Sequence, residues 1–492
     1  MLCRRVIIAL VLATPIFAAD SATTLDRVLR EIGKSRSLPD NLSTLCDEIG
    51  PRMAGTRGMQ RAVDWAEQAF KDAGVDAVKV EPVPMPVRWQ EGETAVSALG
   101  EQSFPLRAAS AALSPATPIG GIEAPVVDAG SGSQGHILRR RKEFKGKLLL
   151  VRLNEAHSFE GLAVEQRDAM IAVREAAEVQ AAGVLFISTR PNGVMYRHIN
   201  NIDGHLDPIP SAILAREDGL RLKRLLDEDQ EIRLRLDLPN QISGPFESHN
   251  VIAEISGSEL SDEVVLLAAH LDSWDMGTGC LDNGANVSLV IETARAITAA
   301  KAAPRRTIRF ALFGGEEFGL FGSRAYIQSR ANELDNHVAV IVHDMGIGEV
   351  KGYSVGGRHD LLKNLDTALA PVEDRWKLEH MTEAFFGSDH FDFLLQGVPN
   401  LVAIQDTSNY YSPYHSEADT FDKIEMKQVR ERTALAAAAA LGIANLDKRF
   451  GKRYDQNRVD NLLKDSHLDE QMKFLGIWDA WQDGDRSYRE SR

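Results

Sequence analysis

Two histidines and three carboxylates follow one another between residues 270 and 415 in an order that could bind metal ions. They are His270, Asp282, Glu317, Asp344 and His415. Neutral imidazole and ionised carboxylate are zinc ligands that need no unusual pKa at neutral pH. Asp282 could bridge two ions, with His270 and Asp344 completing one ligand set and Glu317 and His415 the other. Two ions held about 4 Å apart clamp a water, lower its pKa and polarise a carbonyl.

Two further carboxylates stand beside these ligands. Glu316 precedes Glu317 and should point the other way, where a general base could take a proton from the bridging water and later give it to a leaving amine. Asp272 lies two residues after His270 and could reach the other nitrogen of its imidazole or brace it through the backbone, which would fix the tautomer. A single Glu-Glu or His-x-Asp pair is more often structural than functional, so the prediction depends on the whole order of residues.

The elements that must position these side chains are predicted strands of one sheet. Three of the groups come directly after apolar runs, at Val264–Ala269, Ile308–Phe313 and Val338–Val342. Strand-like and helix-like segments alternate from about residue 250 to 445, which predicts an α/β fold with a mostly parallel mixed sheet and helices on both faces. In such folds, sites form beyond the carboxyl ends of the strands.

The chain has 492 residues, too many for one compact core. Short apolar strands and polar helices between residues 116 and 238 predict a smaller inserted α/β domain. We therefore expect a discontinuous catalytic domain over residues 20–115 and 239–450. The tail, residues 451–492, should be partly helical, with Trp478 and Trp481 able to pack it down.

The first nineteen residues are typical of a signal peptide, with Arg4 and Arg5 before a short apolar run. We expect a secreted or periplasmic protein without a membrane span. The net charge of −15 argues against nucleic acid as a partner. Cys46 and Cys280 would remain after cleavage, and either a disulfide or two free thiols is compatible with the sequence.

Several motifs make the chain resemble the di-zinc aminopeptidase and glutamate carboxypeptidase superfamily, and within it the carboxypeptidase Q (plasma glutamate carboxypeptidase) type. The motifs are His-Leu-Asp-Ser-Trp-Asp (270–275), Cys-Leu-Asp-Asn-Gly (280–284), Phe-Gly-Gly-Glu-Glu-Phe-Gly-Leu-Phe-Gly-Ser (313–323), His-Asp-Met-Gly (343–346) and Tyr-His-Ser-Glu-Ala-Asp-Thr (414–420). With Ile-Gly-Pro-Arg (49–52), His-Asn-Val-Ile-Ala-Glu-Ile (249–255) and Gly-Ser-Asp-His (387–390), the likeness spans most of residues 40–445. The sequence departs from the pattern at Cys280, where a small residue is usual, and the tail after residue 450 is unmatched.

The resemblance implies two Zn²⁺ ions per chain, with the five ligands named above, bridging Asp282 and Glu316 as the base. It also implies that the inserted domain is a protease-associated domain. The expected activity is that of an exopeptidase on dipeptides or short peptides. The resemblance suggests a homodimer, although the sequence leaves the oligomeric state open.

Two other functions remain open at this point. A glutaminyl cyclase-like aminoacyl cyclotransferase would use one zinc and usually lacks the inserted domain. A receptor-like binding protein would keep the fold and lose catalysis. The terminus that a peptide substrate presents is also undetermined, and Arg52, after the Gly-Pro turn, is a candidate for binding a C-terminal carboxylate. Tyr410, Tyr411 and Tyr414 could donate to an oxyanion or form an aromatic wall.

Overall fold

The computed structural model describes residues 16–101, 103–155 and 157–484. Most of the predicted signal peptide, residues 1–19, lies outside this part. Among the described residues, every helix is too short or too polar to cross a membrane.

The strands of the described residues are numbered here in chain order. They are β1 Ala77–Met85, β2 Arg88–Gln90, β3 Ala95–Ala98, β4 Phe104–Leu106, β5 Ala108–Ser110, β6 Ile122–Asp128, β7 Leu148–Arg152, β8 Gly183–Ile187, β9 Ser211–Leu214, β10 Arg233–Asp237, β11 Gln241–Ser243, β12 Phe246–Ile255, β13 Leu260–His270, β14 Arg306–Phe313, β15 His337–Val342, β16 Val350–Ser354 and β17 Asn400–Gln405.

The α-helices are numbered in the same way. They are α1 Ile16–Lys34, α2 Ser37–Ser43, α3 Arg57–Asp72, α4 His136–Arg139, α5 Arg141–Phe144, α6 Phe159–Glu178, α7 Arg216–Asp227, α8 Ala285–Ala299, α9 Phe321–Ser329, α10 Leu362–Leu369, α11 His390–Leu395, α12 Met426–Ala444, α13 Gln456–Asp465, α14 Leu468–Leu475 and α15 Trp478–Asp483. Capping side chains set the start of several helices; for example, Thr56 accepts from the Met59 amide at the start of α3.

The first sheet has seven strands in the order β1-β12-β14-β13-β15-β17-β16. The four central strands, β14, β13, β15 and β17, run parallel to one another. The outer pairs, β1 with β12, β12 with β14 and β16 with β17, are antiparallel. The central strands are buried along almost their whole length, as expected for a parallel sheet with both faces covered.

Helices cover both faces of this sheet. On one face, α1, α3, α8, α10 and α12 pack their apolar side chains against the strands. On the other face, Tyr326 and Ile327 of α9 and Phe393 of α11 pack on Leu266 and Val340. The predicted fold class, a mostly parallel mixed sheet with helices on both faces, is confirmed.

A second sheet of eight strands follows the order β4-β3-β10-β6-β7-β8-β9-β5. It has its own apolar core on each face, under α6 on one side and α7 on the other. Strands β3 to β5 belong to this sheet although they precede residue 116. The domain boundaries drawn from the sequence stay a prediction.

The tail folds into α13, α14 and α15 and packs on the rest of the molecule. Trp481 is fully buried and lies in one apolar cluster with Phe391 and Leu394 of α11 and Met170 of α6. The tail therefore contacts both the first sheet's helices and α6 of the second sheet.

Candidate metal centre

Three adjacent strands of the first sheet deliver most of the predicted ligands. His270 is the last residue of β13, Glu316 and Glu317 follow β14, and Asp344 follows β15. Because parallel strands end at the same edge of a sheet, these side chains converge there. Asp282 comes from the irregular turn Cys280–Gly284 before α8, and His415 from the loop after β17.

Half of the site is formed by His270, Asp282 and Asp344. The Nε2 atom of His270 lies 3.1 Å from Oδ1 of Asp282 and 3.5 Å from Oδ1 of Asp344. All three side chains are buried, and their ligand atoms lie within 4.8 Å of one another. This group could hold one metal ion.

The other half is formed by Asp282, Glu317 and His415. The Nε2 atom of His415 lies 3.4 Å from Oδ2 of Asp282 and 3.0 Å from Oε2 of Glu317. These ligand atoms too lie within 4.8 Å of one another. Asp282 thus turns one oxygen toward each half, which is the geometry a bridging carboxylate needs. The structure brings together all five residues that the sequence proposes as ligands.

Asp272 braces the site in two ways. Its backbone carbonyl lies 3.1 Å from Nδ1 of His270, and it can accept the proton there and leave Nε2 free as a ligand. Its carboxylate instead accepts the amides of Glu316 and Glu317 at 3.1 and 3.3 Å. The predicted bracing through the backbone matches this geometry, and the carboxylate additionally fixes the start of the loop that carries both glutamates.

Asp419 is a positioning residue that the sequence did not single out. Its carboxylate accepts the amides of Leu281 and Asp282 at 2.7 and 3.1 Å. This holds the turn that presents Asp282. The residue lies in the Tyr-His-Ser-Glu-Ala-Asp-Thr motif, but its role depends on contact with a segment over a hundred residues away, which a single sequence does not reveal.

Arg52, the candidate from the sequence for binding a C-terminal carboxylate, supports the main chain around the site in this structure. Its buried guanidinium donates to four backbone carbonyls, those of Gly50, Leu271, Thr278 and Gly279, at 2.8 to 3.0 Å. Four of its five N–H groups are therefore directed to main-chain carbonyls around the site. Burial lowers the pKa of Arg52 to about 10, which keeps it charged at neutral pH.

The charges of the site are mutually dependent. Burial alone would lower the pKa of His415, but the carboxylates of Glu317 and Asp282 outweigh it and raise the pKa to about 9. Burial raises the pKa of Glu317 to about 7 and that of Glu316 well above its usual range, although the neighbouring histidines oppose both shifts. The protein without ions thus favours protons on these groups.

The donor set fits divalent cations. Five carboxylates lie near two histidines, so that negative charge is in excess at the site. The carboxylates belong to Asp272, Asp282, Glu316, Glu317 and Asp344, and all but the partly buried Glu316 are buried. The Oε1 atom of Glu317 is buried without a hydrogen-bond partner among the described residues. Buried charge of one sign is costly unless it is compensated, and two divalent ions with nitrogen and oxygen ligands would compensate it.

A cavity of about 520 Å³ opens from the ligands. Its walls come from the first sheet's loops, from α6 and the segment after β8, and from α14; Glu316 lies on its surface. The inserted segment contributes His198, a residue the sequence did not indicate because a lone histidine in a loop carries no signal. Burial lowers the pKa of His198 to about 4, so this imidazole is neutral at pH 7.

The three tyrosines before His415 have different positions. Tyr410 donates to Oδ2 of Asp282 at 2.8 Å, and Tyr414 stacks on His415 with ring centroids 3.6 Å apart. Both line the cavity, whereas Tyr411 pairs with Thr407. The aromatic wall is present, and Tyr410 is engaged with a ligand carboxylate.

Cys46 and Cys280 form a disulfide in this structure, with their α-carbons 5.6 Å apart. The bond joins the segment before Arg52 to the turn that carries Asp282. Of the two possibilities left open by the sequence, the structure has the bonded one.

Comparison with known proteins shows which family this chain is similar to. Residues 250–440 match the model of peptidase family M28. Carboxypeptidase Q of Bos taurus is 28% identical over 414 residues, covering 83% of this chain and 85% of that protein. A peptidase M28 precursor from Shewanella amazonensis SB2B superposes with a TM-score of 0.79 at 28% identity, covering 89% of this chain and 99% of that one.

The fold is also shared with BSAP, a zinc aminopeptidase from Bacillus subtilis, at a TM-score of 0.66 and 24% identity, covering 82% of this chain and 93% of that one. The family resemblance seen in the sequence motifs is confirmed by these findings. The chain is therefore similar to peptidase family M28, with the match to the family model confined to residues 250–440.

Proposed function

We propose that this chain is a di-zinc exopeptidase that hydrolyses dipeptides or short peptides. The observation that carries the proposal is the position of Asp282, with Oδ1 directed to His270 and Oδ2 directed to His415. Those two groups of ligands lie at the floor of one cavity. Similarity to peptidase family M28 and to carboxypeptidase Q supports a peptide as the substrate.

Zinc suits the site because each half combines one histidine with carboxylates. His270, Asp282 and Asp344 would hold one ion, and Asp282, Glu317 and His415 the other. When bound, the two ions supply Lewis acidity that lowers the pKa of a water and polarises the scissile carbonyl.

Glu316 is the residue that we assign to proton transfer. It lies on the cavity surface beside ligand Glu317, and Asp272 holds its backbone amide at 3.1 Å. A carboxylate in this position can accept the proton of the attacking water and deliver it to the nitrogen of the leaving amine. The free amine then departs, and the other product keeps the new carboxylate.

The remaining assignments follow from the family. We propose that residues 116–238 form a protease-associated domain. They contain strands β6 to β10 of the second sheet, which has its own core, and their helix α6 lines the cavity. We also propose a secreted or periplasmic location, which suits the predicted signal peptide and the disulfide between Cys46 and Cys280. A homodimer is the assembly that the resemblance suggests.

Replacement of Glu316 by Gln tests the mechanism. The variant should bind zinc and unfold like the wild type, while its kcat on dipeptides falls by about 10² to 10⁴-fold because only the proton-transfer group is lost. Exposed Glu349, which pairs with Lys351, provides the matched control, and Glu349→Gln should keep full activity. Undiminished hydrolysis by Glu316→Gln would contradict the assignment.

A panel of free, N-acetylated and C-amidated dipeptides would identify the terminus that the enzyme requires. Cleavage of N-acetylated peptides would exclude an absolute need for a free amine. The same panel separates the alternatives: cyclisation of N-terminal glutamine with one zinc per chain would favour a glutaminyl cyclase-like enzyme. Metal binding without turnover of any peptide would favour a receptor-like binding protein.

A further inference from the structure

Helix α14 of the tail presents one of its faces to the cavity that contains the metal centre. Gln471, Phe474 and Leu475 all line this cavity. Their spacing of three and four residues places them on one side of the helix. Part of the wall of this cavity is therefore built by residues of the tail.

A second face of α14 fixes the helix in place. Leu468 and Met472, four residues apart, are 4% and 1% exposed. They pack in the cluster that contains Phe391 and Leu394 of α11 and the fully buried Trp481. The cavity-facing side chains are thus carried by a helix anchored to the first sheet's own helices.

The helix also contacts the second sheet's unit. The guanidinium of Arg174, on α6, donates to the Phe474 carbonyl at 3.1 Å and lies 5.4 Å from the Phe474 ring centroid. Met170 of α6 joins the apolar cluster under α14 and also lines the cavity. Helices α6 and α14 therefore contact each other, and both line the cavity that contains the metal centre.

The size of the cavity bears on the length of peptide that can bind. Its volume of about 520 Å³ lies in the range of about 300–1,000 Å³ for pockets that enclose a small molecule. Each further residue of an extended peptide needs about 3.3–3.6 Å of additional length. With one end of a peptide at the metal centre, a longer chain would meet α14.

We infer that α14 sets the length of peptide that the site accepts, with Gln471 and Phe474 as specificity-determining residues. This inference depends on the proposed peptidase function. It assigns to the tail, which had no counterpart in the sequence motifs, contact with the end of the substrate that lies away from the scissile bond.

A series of alanine peptides from two to five residues tests the inference on the zinc-loaded full-length protein. The readout is the ratio of kcat/KM for the tetrapeptide to kcat/KM for the dipeptide. The double variant Gln471→Ala/Phe474→Ala opens the wall and should raise this ratio about tenfold or more, a discrimination that pocket shape commonly provides. Gln471→Trp fills the same space and should lower it.

Lys473 provides the matched control on the same helix. Its side chain is half exposed and pairs with Asp469 at 2.7 Å on a third face, so Lys473→Ala should leave the ratio unchanged. Thermal unfolding would show whether the double variant is folded. If it is not, the ratio measured for Gln471→Trp tests the inference by itself.

A ratio that stays within twofold of the wild type in every folded cavity variant would overturn the inference while leaving the peptidase function intact. A wild-type protein that cleaves no peptide would overturn both.

Discussion

Asp272 acts on the metal centre through two groups at once, its backbone carbonyl toward His270 and its carboxylate toward the amides of Glu316 and Glu317. The carboxylate needs both oxygens as acceptors. In an asparagine at this position, an NH2 group would replace one of the two oxygens. That group would face a backbone N–H, so two donors would meet without an acceptor. The loop bearing both glutamates would then lose its fixed start.

Replacement of Asp272 by Asn should therefore weaken zinc binding and lower kcat/KM by about 10 to 100-fold, the usual effect of disturbing groups that orient metal ligands. Zinc affinity by chelator competition and dipeptide hydrolysis would measure the two effects. Asp422→Asn is the control because Asp422 is exposed and pairs only with its neighbours Lys423 and Thr420. An Asp272→Asn protein within twofold of the wild type in both measurements would refute this role.

The ligands themselves could be predicted from the sequence because each follows a recognisable apolar run or lies in a motif. His270 and Asp344 are examples, since β13 and β15 end at or just before them. Asp419 and Arg52 could not be assigned, because both act on main-chain groups that are remote in sequence. Pattern and spacing do not report which backbone amides or carbonyls a distant side chain will meet.

The irregular turn before α8 is held in place by Arg52, which lies far from it in the sequence. Arg52 donates to the carbonyls of Thr278 and Gly279 at its start, and also to that of Leu271 after β13. A lysine keeps the positive charge but presents its donors from one point and cannot match this fork. Several buried carbonyls would then lack a partner.

The Arg52→Lys variant should lose at least about 2 kcal/mol of unfolding free energy, because hydrogen bonds to a charged group contribute about 1.5–3 kcal/mol each. Urea unfolding of the metal-free proteins would measure this without the stabilisation that bound ions add. Exposed Arg57, at the start of α3, offers a control in Arg57→Lys. Equal urea midpoints for wild type and Arg52→Lys would show that the support is dispensable.

Strand and helix positions were largely accessible from the sequence where the periodicity is strong. Strands β14 and β15 contain the apolar runs Ile308–Phe313 and Val338–Val342 that predict them. The function of the tail was not accessible, although Trp481 does pack it down as predicted. The face of α14 that lines the cavity depends on the position of α6, which packs on the second sheet. The sequence of the tail alone does not contain that information.

The stability of the whole molecule in acid is limited by buried, neutral histidines such as His337. His337, at the start of β15 and opposite the metal centre, lies 2.8 Å from the Tyr326 hydroxyl and 3.1 Å from the Glu333 carbonyl. Burial, together with Arg309, Arg330 and Arg449, lowers its pKa from 6.5 to about 3. The unfolded chain thus binds one more proton here than the folded chain between these two pH values.

Stability attributable to His337 is present above pH 6.5 and is lost as the pH falls toward 3, at up to about 1.4 kcal/mol per pH unit. In the His337→Gln variant this proton uptake is absent, so its unfolding free energy should fall less steeply between those pH values. Urea unfolding at a series of pH values would measure the two slopes. Identical slopes would contradict a neutral, buried His337.

We propose above all that two zinc ions share Asp282. Zinc content per chain, measured by plasma mass spectrometry after dialysis of the zinc-loaded protein, tests it most directly. We expect two ions per wild-type chain, and fewer in Asp282→Asn, because each half of the site loses a charged ligand. No more than one ion per wild-type chain under metal-replete conditions would contradict the account.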